Sequence, residues 1–188
     1  MGKAKMKIVR KRMNADCFIG PGRLIGRVLP VLIVLVSLAY GTTVAAQDTS
    51  EEDVVLAVVQ QFFDSMTAND KEAASKTLMP HGQYYSVRED PKGLYVKRRS
   101  HQEYLEGLSD SDDGMVERIW NPTVLIHGRI AVVWVPYDFH MNGEFRHCGV
   151  DAFSLVKTDE GWRIAGIVYT VEPSGCVPSP LGPLQEEK

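Results

Sequence analysis

The sequence lacks the short motifs that most readily identify an enzyme or a metalloprotein. It has three cysteines but no CxxC pair, its five histidines form neither HxH nor HExxH spacing, and it contains no GxSxG motif. The first absence argues against a dithiol oxidoreductase, the second against a zinc site, and the third against an α/β-hydrolase nucleophile. We therefore expect neither a metal nor a cofactor.

The sequence also lacks an apolar run long enough to cross a bilayer comfortably. Its most apolar stretch, VLPVLIVLVSLAY, has 13 residues and contains Pro30, whereas a membrane-spanning helix needs about 20 residues. Eight Lys or Arg residues precede this stretch, and the small-residue segment GTTVAA follows it. This pattern is typical of a secretory signal. We predict that residues 1–46 are a signal peptide cleaved before Gln47, with a retained membrane anchor as the alternative.

Basic residues are scarce in the rest of the chain. From residue 47 onward there are 13 Lys or Arg and 23 Asp or Glu, a formal charge of −10. A domain this acidic is repelled by nucleic acids and by anionic membranes. We therefore expect no nucleic-acid partner, and no membrane contact once the signal is removed.

Cysteine usage agrees with a secreted or periplasmic location. Cys17 would leave with the signal peptide, and Cys148 and Cys176 remain as an even pair. In an oxidising compartment such a pair is expected to form a disulfide.

The predicted mature chain begins with helical patterns. Apolar residues recur at spacings of three and four after Ser50, which predicts an amphipathic helix over residues 51–66. A shorter helix is expected to end near Pro80, and a third is expected over residues 101–108. The predicted domain covers residues 47–176, and a flexible Pro-rich tail covers residues 177–188.

Strand patterns dominate after residue 115. The Asn142-Gly143 pair is the strongest short hairpin signal in the chain, and turns near His127 and Gly161 flank it. Helices followed by an antiparallel meander of four strands predict an α+β fold, and a sheet curled around the first helix makes a hollow cone. The predicted strands cover residues 83–89, 94–99, 116–126, 129–141, 144–156 and 162–172.

The Asn142-Gly143 turn also predicts the register of the two central strands. Uninterrupted pairing from this turn places Asp138 opposite His147. The same pairing places Trp134 opposite Asp151. We expect the face with the largest side chains to line the hollow, and this face would carry Trp134, Asp138, His140, His147, Asp151, Phe153, Leu155, Trp162, Ile164 and Thr170.

The opposite face of the predicted sheet is apolar as well. A soluble protein rarely leaves such a surface in water, so we expect a homodimer that buries it. Cys148 falls on this outer face and points away from His147 and Asp151. The apolar residues of the predicted outer face are Val133, Val135, Tyr137, Val150, Ala152, Ile167 and Tyr169.

Two segments carry a family resemblance. VVWVPYDFHMNGEFRHCGVDAFSLVKTDEGWRI, residues 132–164, and the helical VVQQFFDSM resemble the nuclear transport factor 2-like superfamily, in its secreted, lumazine-binding-like branch. The resemblance spans about residues 50–172. It implies a SnoaL-like cone with a pocket between helix and concave sheet, and dimerisation through the sheet. The superfamily includes isomerases, dehydratases, cyclases, epoxide hydrolases and non-catalytic association domains, so the fold alone selects no activity.

The candidate catalytic residues are acids and a histidine of the predicted inner face. Asp151 lies deep in the predicted cone, where burial would raise the pKa of its carboxyl and suit it to proton abstraction. Asp138 and His147 could act as an oriented acid–base pair. In each case a buried, hydrogen-bonded structural role is the alternative.

Aromatic and polar neighbours complete the predicted site. Trp134, His140 and Phe153 are candidate ligand-binding residues, together with Tyr84, because one of the two adjacent tyrosines 84 and 85 must point inward. Three functions stay open: a secreted domain that binds a small apolar or aromatic ligand, a cofactor-independent lyase, isomerase or cyclase, and a non-catalytic dimerisation module.

Overall fold

The computed structural model describes residues 49–108 and 114–184, and the predicted signal peptide lies outside the described residues. Within these ranges the chain forms three helices, none of them long and apolar enough to cross a membrane. The Ser50 hydroxyl accepts a hydrogen bond from the Asp53 N–H at 3.2 Å and so caps the first helix. The helices are α1 (Glu51–Thr67), α2 (Lys71–Thr77) and α3 (His101–Gly107).

Seven strands of the described chain form one sheet. The strands are β1 (Leu78–Asp90), β2 (Gly93–Ser100), β3 (Met115–Ile119), β4 (Thr123–His127), β5 (Ile130–Met141), β6 (Glu144–Thr158) and β7 (Gly161–Thr170). Their order in the sheet is β2-β1-β7-β6-β5-β3. Strand β4 pairs with the first part of β5, and β3 pairs with the last part. The predicted α+β class, with helices packed against a curved sheet, is confirmed.

Two features of the sheet differ from the prediction. The single strand expected over residues 116–126 is two strands, because Asn121 has a φ of 47° and Pro122 has no N–H to continue the ladder. In addition, β1 pairs with β7 in parallel, so the sheet is mixed rather than antiparallel throughout.

The core lies between α1 and the concave face of the sheet. Phe62 and Phe63 of α1 meet Phe153 of β6, with ring centroids 6.2 and 5.7 Å apart in edge-on arrangements. Each of the three rings is at most 4% exposed. Helix α1 therefore packs against the concave face of the sheet, and its aromatic rings form part of the core.

An irregularity in the β5–β6 pairing corrects the predicted register. The turn has the predicted form, with φ of 54° at Asn142 and 78° at Gly143, but the pairing shifts beyond His140, where Arg146 is an extra residue in β6. A β-bulge of this kind moves every later pair by one position and reverses the facing side chains. Phe139 consequently lies opposite His147.

The bulge overturns three predicted inner positions. Asp138 pairs with Cys148 and Trp134 pairs with Ala152, all on the outer face. Trp134 is 55% exposed. His140 lies on the outer side as well, so the predicted placement of Trp134, Asp138 and His140 in the cone is wrong. Val133, Val135 and Tyr137, predicted to lie outside, are buried on the inner face.

A second irregularity affects the β6–β7 pair. The pairing shifts between Ser154 and Leu155, and Phe153 lies opposite Ile167 instead of the predicted Ile164. Asp151 lies opposite Tyr169, not Gly166. Ile167 and Tyr169 therefore face the interior, which corrects their predicted outer placement.

The predicted disulfide is present and ties the C-terminal segment to the outer face. Cys148 of β6 is bonded to Cys176, with 5.9 Å between the Cα atoms. Farther along, the carbonyl oxygen of Gly182 accepts a hydrogen bond of 3.0 Å from Arg118 Nη1. Within residues 177–184, the tail is thus held against the sheet at Gly182.

Asp138 has its partners beneath this segment. Arg118 Nε donates to Asp138 Oδ1 at 2.8 Å, and a second bond joins Arg118 Nη2 to Asp138 Oδ2. His140 Nε2 lies 3.3 Å from Asp138 Oδ1. This buried ion pair stabilises the junction between sheet and tail, and it does not reach the interior of the cone.

Candidate functional site

A cavity of about 220 Å³ lies between α1 and the concave face of the sheet. Its walls are mainly aromatic, with Phe62, Phe63, Tyr84, Tyr104, Phe139, Phe153 and Tyr169. Its polar lining consists of Ser86, Lys97, Arg99, Glu117, His147 and Asp151. An apolar pocket with a few convergent polar groups is the usual form of a small-molecule site.

Two carboxyl groups meet in this cavity. Burial raises the pKa of Glu117 well above its ordinary value, and the charge of Asp151 and a hydrogen bond between the two carboxyls raise it further. Burial also raises the pKa of Asp151, to about 7, while the hydrogen bond from Glu117 opposes that rise. The two carboxyls therefore share a proton, and the pair keeps at least one proton near neutral pH.

His147 presents a neutral ring with an assigned proton. The Tyr137 hydroxyl donates to Thr170 O at 2.6 Å, so it can only accept at its 3.1 Å contact with His147 Nδ1. The ring therefore carries its proton on Nδ1 and leaves Nε2 available as an acceptor. Burial, with the charge of Arg88, lowers the pKa of His147 to about 4. The Phe139 ring stacks on the imidazole, with 4.9 Å between the ring centroids.

The rings of Phe62, Tyr84 and Tyr104 form one aromatic wall of the cavity. The Phe62 centroid lies 6.2 Å from that of Tyr84 and 5.6 Å from that of Tyr104. The hydroxyls of Tyr84 and Tyr104 are buried and have no partner within residues 49–108 and 114–184. Burial raises the pKa of both hydroxyls, so each is a neutral donor.

Asp151 also has a free oxygen. Its Oδ2 is buried and finds no hydrogen-bond partner in the described part of the chain. The cavity thus holds one free carboxylate acceptor and two free hydroxyl donors. The described residues form no cluster of three or more His, Cys, Asp or Glu side chains that could hold a metal ion.

Sequence comparison identifies the family. Residues 50–170 match the profile of the family described as "Putative lumazine-binding". The chain belongs to this family. The match covers the described helices and all seven strands of this lumazine-binding-family protein. A comparison with curated proteins found no match.

Solved structures share the nuclear transport factor 2-like fold. A Nostoc punctiforme protein of unknown function with a cystatin-like fold aligns with a TM-score of 0.53 at 14% identity, over 66% of this chain and 95% of its own. A nuclear transport factor 2-like protein from Novosphingobium aromaticivorans aligns with a TM-score of 0.53 at 15% identity, over 64% of this chain and 80% of its own. One from Cytophaga hutchinsonii aligns with a TM-score of 0.53 at 14% identity, over 65% of this chain and 98% of its own. Identities this low show the fold alone.

In this lumazine-binding-family protein, four predicted site residues lie in the cavity. His147, Asp151, Phe153 and Tyr84 all line it. The predicted Asp138–His147 pair does not form, because the bulge places the two side chains on opposite faces of the sheet.

Sequence reasoning missed Glu117, the partner of Asp151. Its signal is the pattern MVERI, in which Glu117 lies between Met115 and Ile119 on the same face of a strand. An acid flanked in this way by apolar residues marks a buried carboxyl. The inward positions of Lys97 and Arg99 were also missed, because the KRR run resembles a solvated strand end.

Proposed function

We propose that this domain binds a small aromatic molecule in the cavity between α1 and the sheet. The observation that carries the proposal is that three buried polar atoms of the cavity have no hydrogen-bond partner among the described residues: Asp151 Oδ2 and the hydroxyl oxygens of Tyr84 and Tyr104. A buried polar atom without a hydrogen bond costs about 1–3 kcal/mol, so such atoms are rare. A ligand that donates to Asp151 and accepts from either tyrosine would remove this cost.

The volume and walls of the cavity limit the size and shape of the ligand. At about 220 Å³, the cavity is smaller than the roughly 300–1,000 Å³ of common ligand sites. The rings of Phe62, Tyr84 and Tyr104 favour stacking with a flat partner. Together these features favour a planar molecule of one or two rings.

Fragment screening by NMR tests this function. With isotope-labelled protein, one- and two-ring aromatic fragments should shift the signals of Phe62, Tyr104 and Tyr169. Asp151→Asn should weaken fragments that carry a donor. Trp134→Ala, on the outer face, is the control and should bind unchanged. Fragments that shift only the NMR signals of outer-face residues would contradict the proposal.

A second candidate function is acid–base catalysis by the same groups. The observation that favours it is the proton shared by Glu117 and Asp151 beside a neutral His147. A carboxylate with a raised pKa can remove a proton from the carbon next to a carbonyl, and the Tyr84 hydroxyl could donate to the resulting enolate oxygen. A lyase, isomerase or cyclase would use this step. Asp138 has no part in it.

Deuterium exchange distinguishes catalysis from binding. A catalyst of this kind should exchange the α-hydrogens of small cyclic ketones with D₂O faster than buffer does, with a bell-shaped pH profile. Asp151→Asn should abolish the excess rate. A binding domain without activity should give the buffer rate at every pH.

We also propose a secreted or periplasmic homodimer that joins through the outer face. The Cys148–Cys176 disulfide and the signal-like N-terminus support the location. For the dimer, strands β1, β4, β5 and β7 leave apolar side chains exposed on the outer face. These are Tyr85, Leu125, Ile130, Val132, Trp134 and Val168.

A second copy is the partner that this outer patch suits. Trp134, Ala152 and Val168 follow one another across three neighbouring strands, and none carries a charge. Two copies of an acidic domain could therefore meet there without like-charge repulsion. If no fragment binds in the cavity, the remaining function is that of a module that dimerises without binding a ligand.

A further inference from the structure

The basic run Lys97-Arg98-Arg99 on β2 is divided between the two faces of the sheet. In a strand, successive side chains point to opposite sides. Lys97 and Arg99 line the cavity, whereas Arg98 donates to Gln83 Oε1 at 2.9 Å outside it. In a domain with a formal charge of −10, two cations facing one small cavity call for a chemical reason.

Within residues 49–108 and 114–184, neither cavity cation, Lys97 or Arg99, forms an ion pair with a carboxylate. The hydrogen bonds with Ser100 lower the pKa of the Glu103 carboxyl, and the charge of Arg99 contributes to that shift. Arg99 Nη2 donates to Glu103 O at 2.8 Å, and the guanidinium lies 5.6 Å from the Tyr104 ring centroid. This arrangement holds the guanidinium in place, and most of its five N–H donors have no partner in the part of the chain that the structure describes.

The field of Arg99 reaches the aromatic wall. Burial raises the pKa of the hydroxyls of Tyr84, Tyr104 and Tyr169, and the positive charge of Arg99 opposes that rise at all three. The β2 end of the cavity is thus positive, and the β6–β3 end holds the acids.

The two ends are separated by a known number of strands. Lys97 pairs with Ser86, Ser86 with Tyr169, and Tyr169 with Asp151. Three strand spacings of about 4.8 Å place the Lys97 and Asp151 backbones about 14 Å apart along the sheet. The Lys97 side chain bridges part of this distance, and one or two rings would fill the rest.

We propose that the ligand is a planar aromatic carboxylate with a hydroxyl or amide donor at its opposite end. Its carboxylate would lie between Lys97 and Arg99, its ring against Tyr84 and Tyr104, and its donor at Asp151 Oδ2. Guanidinium groups bind carboxylates through paired, charge-assisted hydrogen bonds. This inference rests on the proposed function and specifies the chemical class of the ligand.

Matched probe pairs test the carboxylate directly. The probes are 4-hydroxybenzoate against 4-hydroxybenzamide, and 6-hydroxy-2-naphthoate against its carboxamide, with Kd measured by NMR titration of the full domain. Each carboxylate should bind roughly tenfold or more tightly than its amide, as charge-assisted bonds predict. Lys97→Gln and Arg99→Gln should each reduce that ratio. Arg98→Gln, one position away but facing outward, should leave it unchanged.

The outcomes separate the two proposals. Carboxylate and amide of equal affinity, both shifting cavity signals, would overturn the carboxylate inference and leave ligand binding standing. Equal loss of affinity in Arg98→Gln and Arg99→Gln would overturn it too, because the effect would then be a general surface field. If no probe shifts a cavity signal, both proposals fail.

Discussion

The Nδ1 atom of His147 lies 3.1 Å from the Tyr137 hydroxyl oxygen, and this contact determines which ring nitrogen carries the proton. Tyr137 gives its own proton to Thr170 O at 2.6 Å. The imidazole is therefore a neutral acceptor at Nε2 instead of a cation, although it lines a cavity that also holds two carboxyls. A bound molecule would meet a fixed pattern of one imidazole acceptor, one carboxylate acceptor and neutral tyrosine donors.

Tyr137→Phe should release the His147 tautomer. The substitution removes the acceptor of the Nδ1 proton and the donor to Thr170 O, so we expect a loss of roughly 1–3 kcal/mol in the free energy of unfolding. Ring ¹⁵N NMR should show the single Nδ1–H tautomer in the parent and a mixture in the variant. Tyr169→Phe, which removes a different cavity hydroxyl, should keep the single tautomer. A mixture already present in the parent would refute the assignment.

Asp151 should make stability depend on pH. Its pKa is raised in the folded state from 3.8 to about 7, so folding favours the protonated form. Its contribution is complete below about pH 3.8 and is lost as the pH rises through about 7. Relative to the parent, Asp151→Asn should therefore gain stability between pH 4.5 and 7.5, by a few kcal/mol at most, because one pKa unit is worth about 1.4 kcal/mol.

Urea unfolding at both pH values measures this difference. Asp159→Asn, at an exposed position, is the control for the general effect of removing a carboxylate. If the stability difference between Asp151→Asn and the parent were the same at both pH values, Asp151 would not be the buried, proton-sharing group described here.

The disulfide should contribute substantially to stability. Cys148 and Cys176 are 28 residues apart, and closing such a loop stabilises a fold by about 3–4 kcal/mol on the chain-entropy estimate. Cys148→Ser with Cys176→Ser should lower the free energy of unfolding by about this amount. Mass spectrometry of the non-reduced parent should show the two peptides joined. Free thiols in the mature protein would contradict both the bond and the proposed location.

Trp134→Glu should break the proposed dimer. Trp134 lies in the exposed outer patch, 55% accessible in the single chain, and a charge there would be buried against its symmetry mate. Analytical ultracentrifugation should show a dimer for the parent and a monomer for the variant. Val54→Glu, on α1 and away from the sheet, should stay dimeric. A monomeric parent would exclude the interface.

The sequence signals that proved reliable were local ones. The Asn142-Gly143 turn has both residues at positive φ, as the dipeptide predicts. Ser100 and Glu103 form a reciprocal capping box at the start of α3, where the third helix was predicted. These signals depend on residues within a few positions of each other, so the local structure that they predict does not depend on how the rest of the chain packs.

The side-chain facing could not be predicted in the same way. One extra residue, Arg146, interrupts the pairing of β5 and β6, and no local pattern announces it. Because strand alternation has a period of two, that single residue moves Trp134 and Asp138 to the outer face. Asp151 and Phe153 keep their predicted inner positions because the inner face was assigned from large side chains such as Phe153, and Asp151 lies on the same face of β6 beyond the bulge. Glu117 could not be paired with Asp151 because their strands meet only through β5.

Native mass spectrometry of the mature protein, purified from the organism that makes it, tests the central claim most directly. Our account predicts a population that carries a small molecule, lost in Asp151→Asn and retained in Trp134→Ala. The mass of that molecule would identify its chemical class. A protein that is bare from its own host, and whose cavity signals no aromatic fragment shifts, would contradict the account and leave a scaffold in place of a binding site.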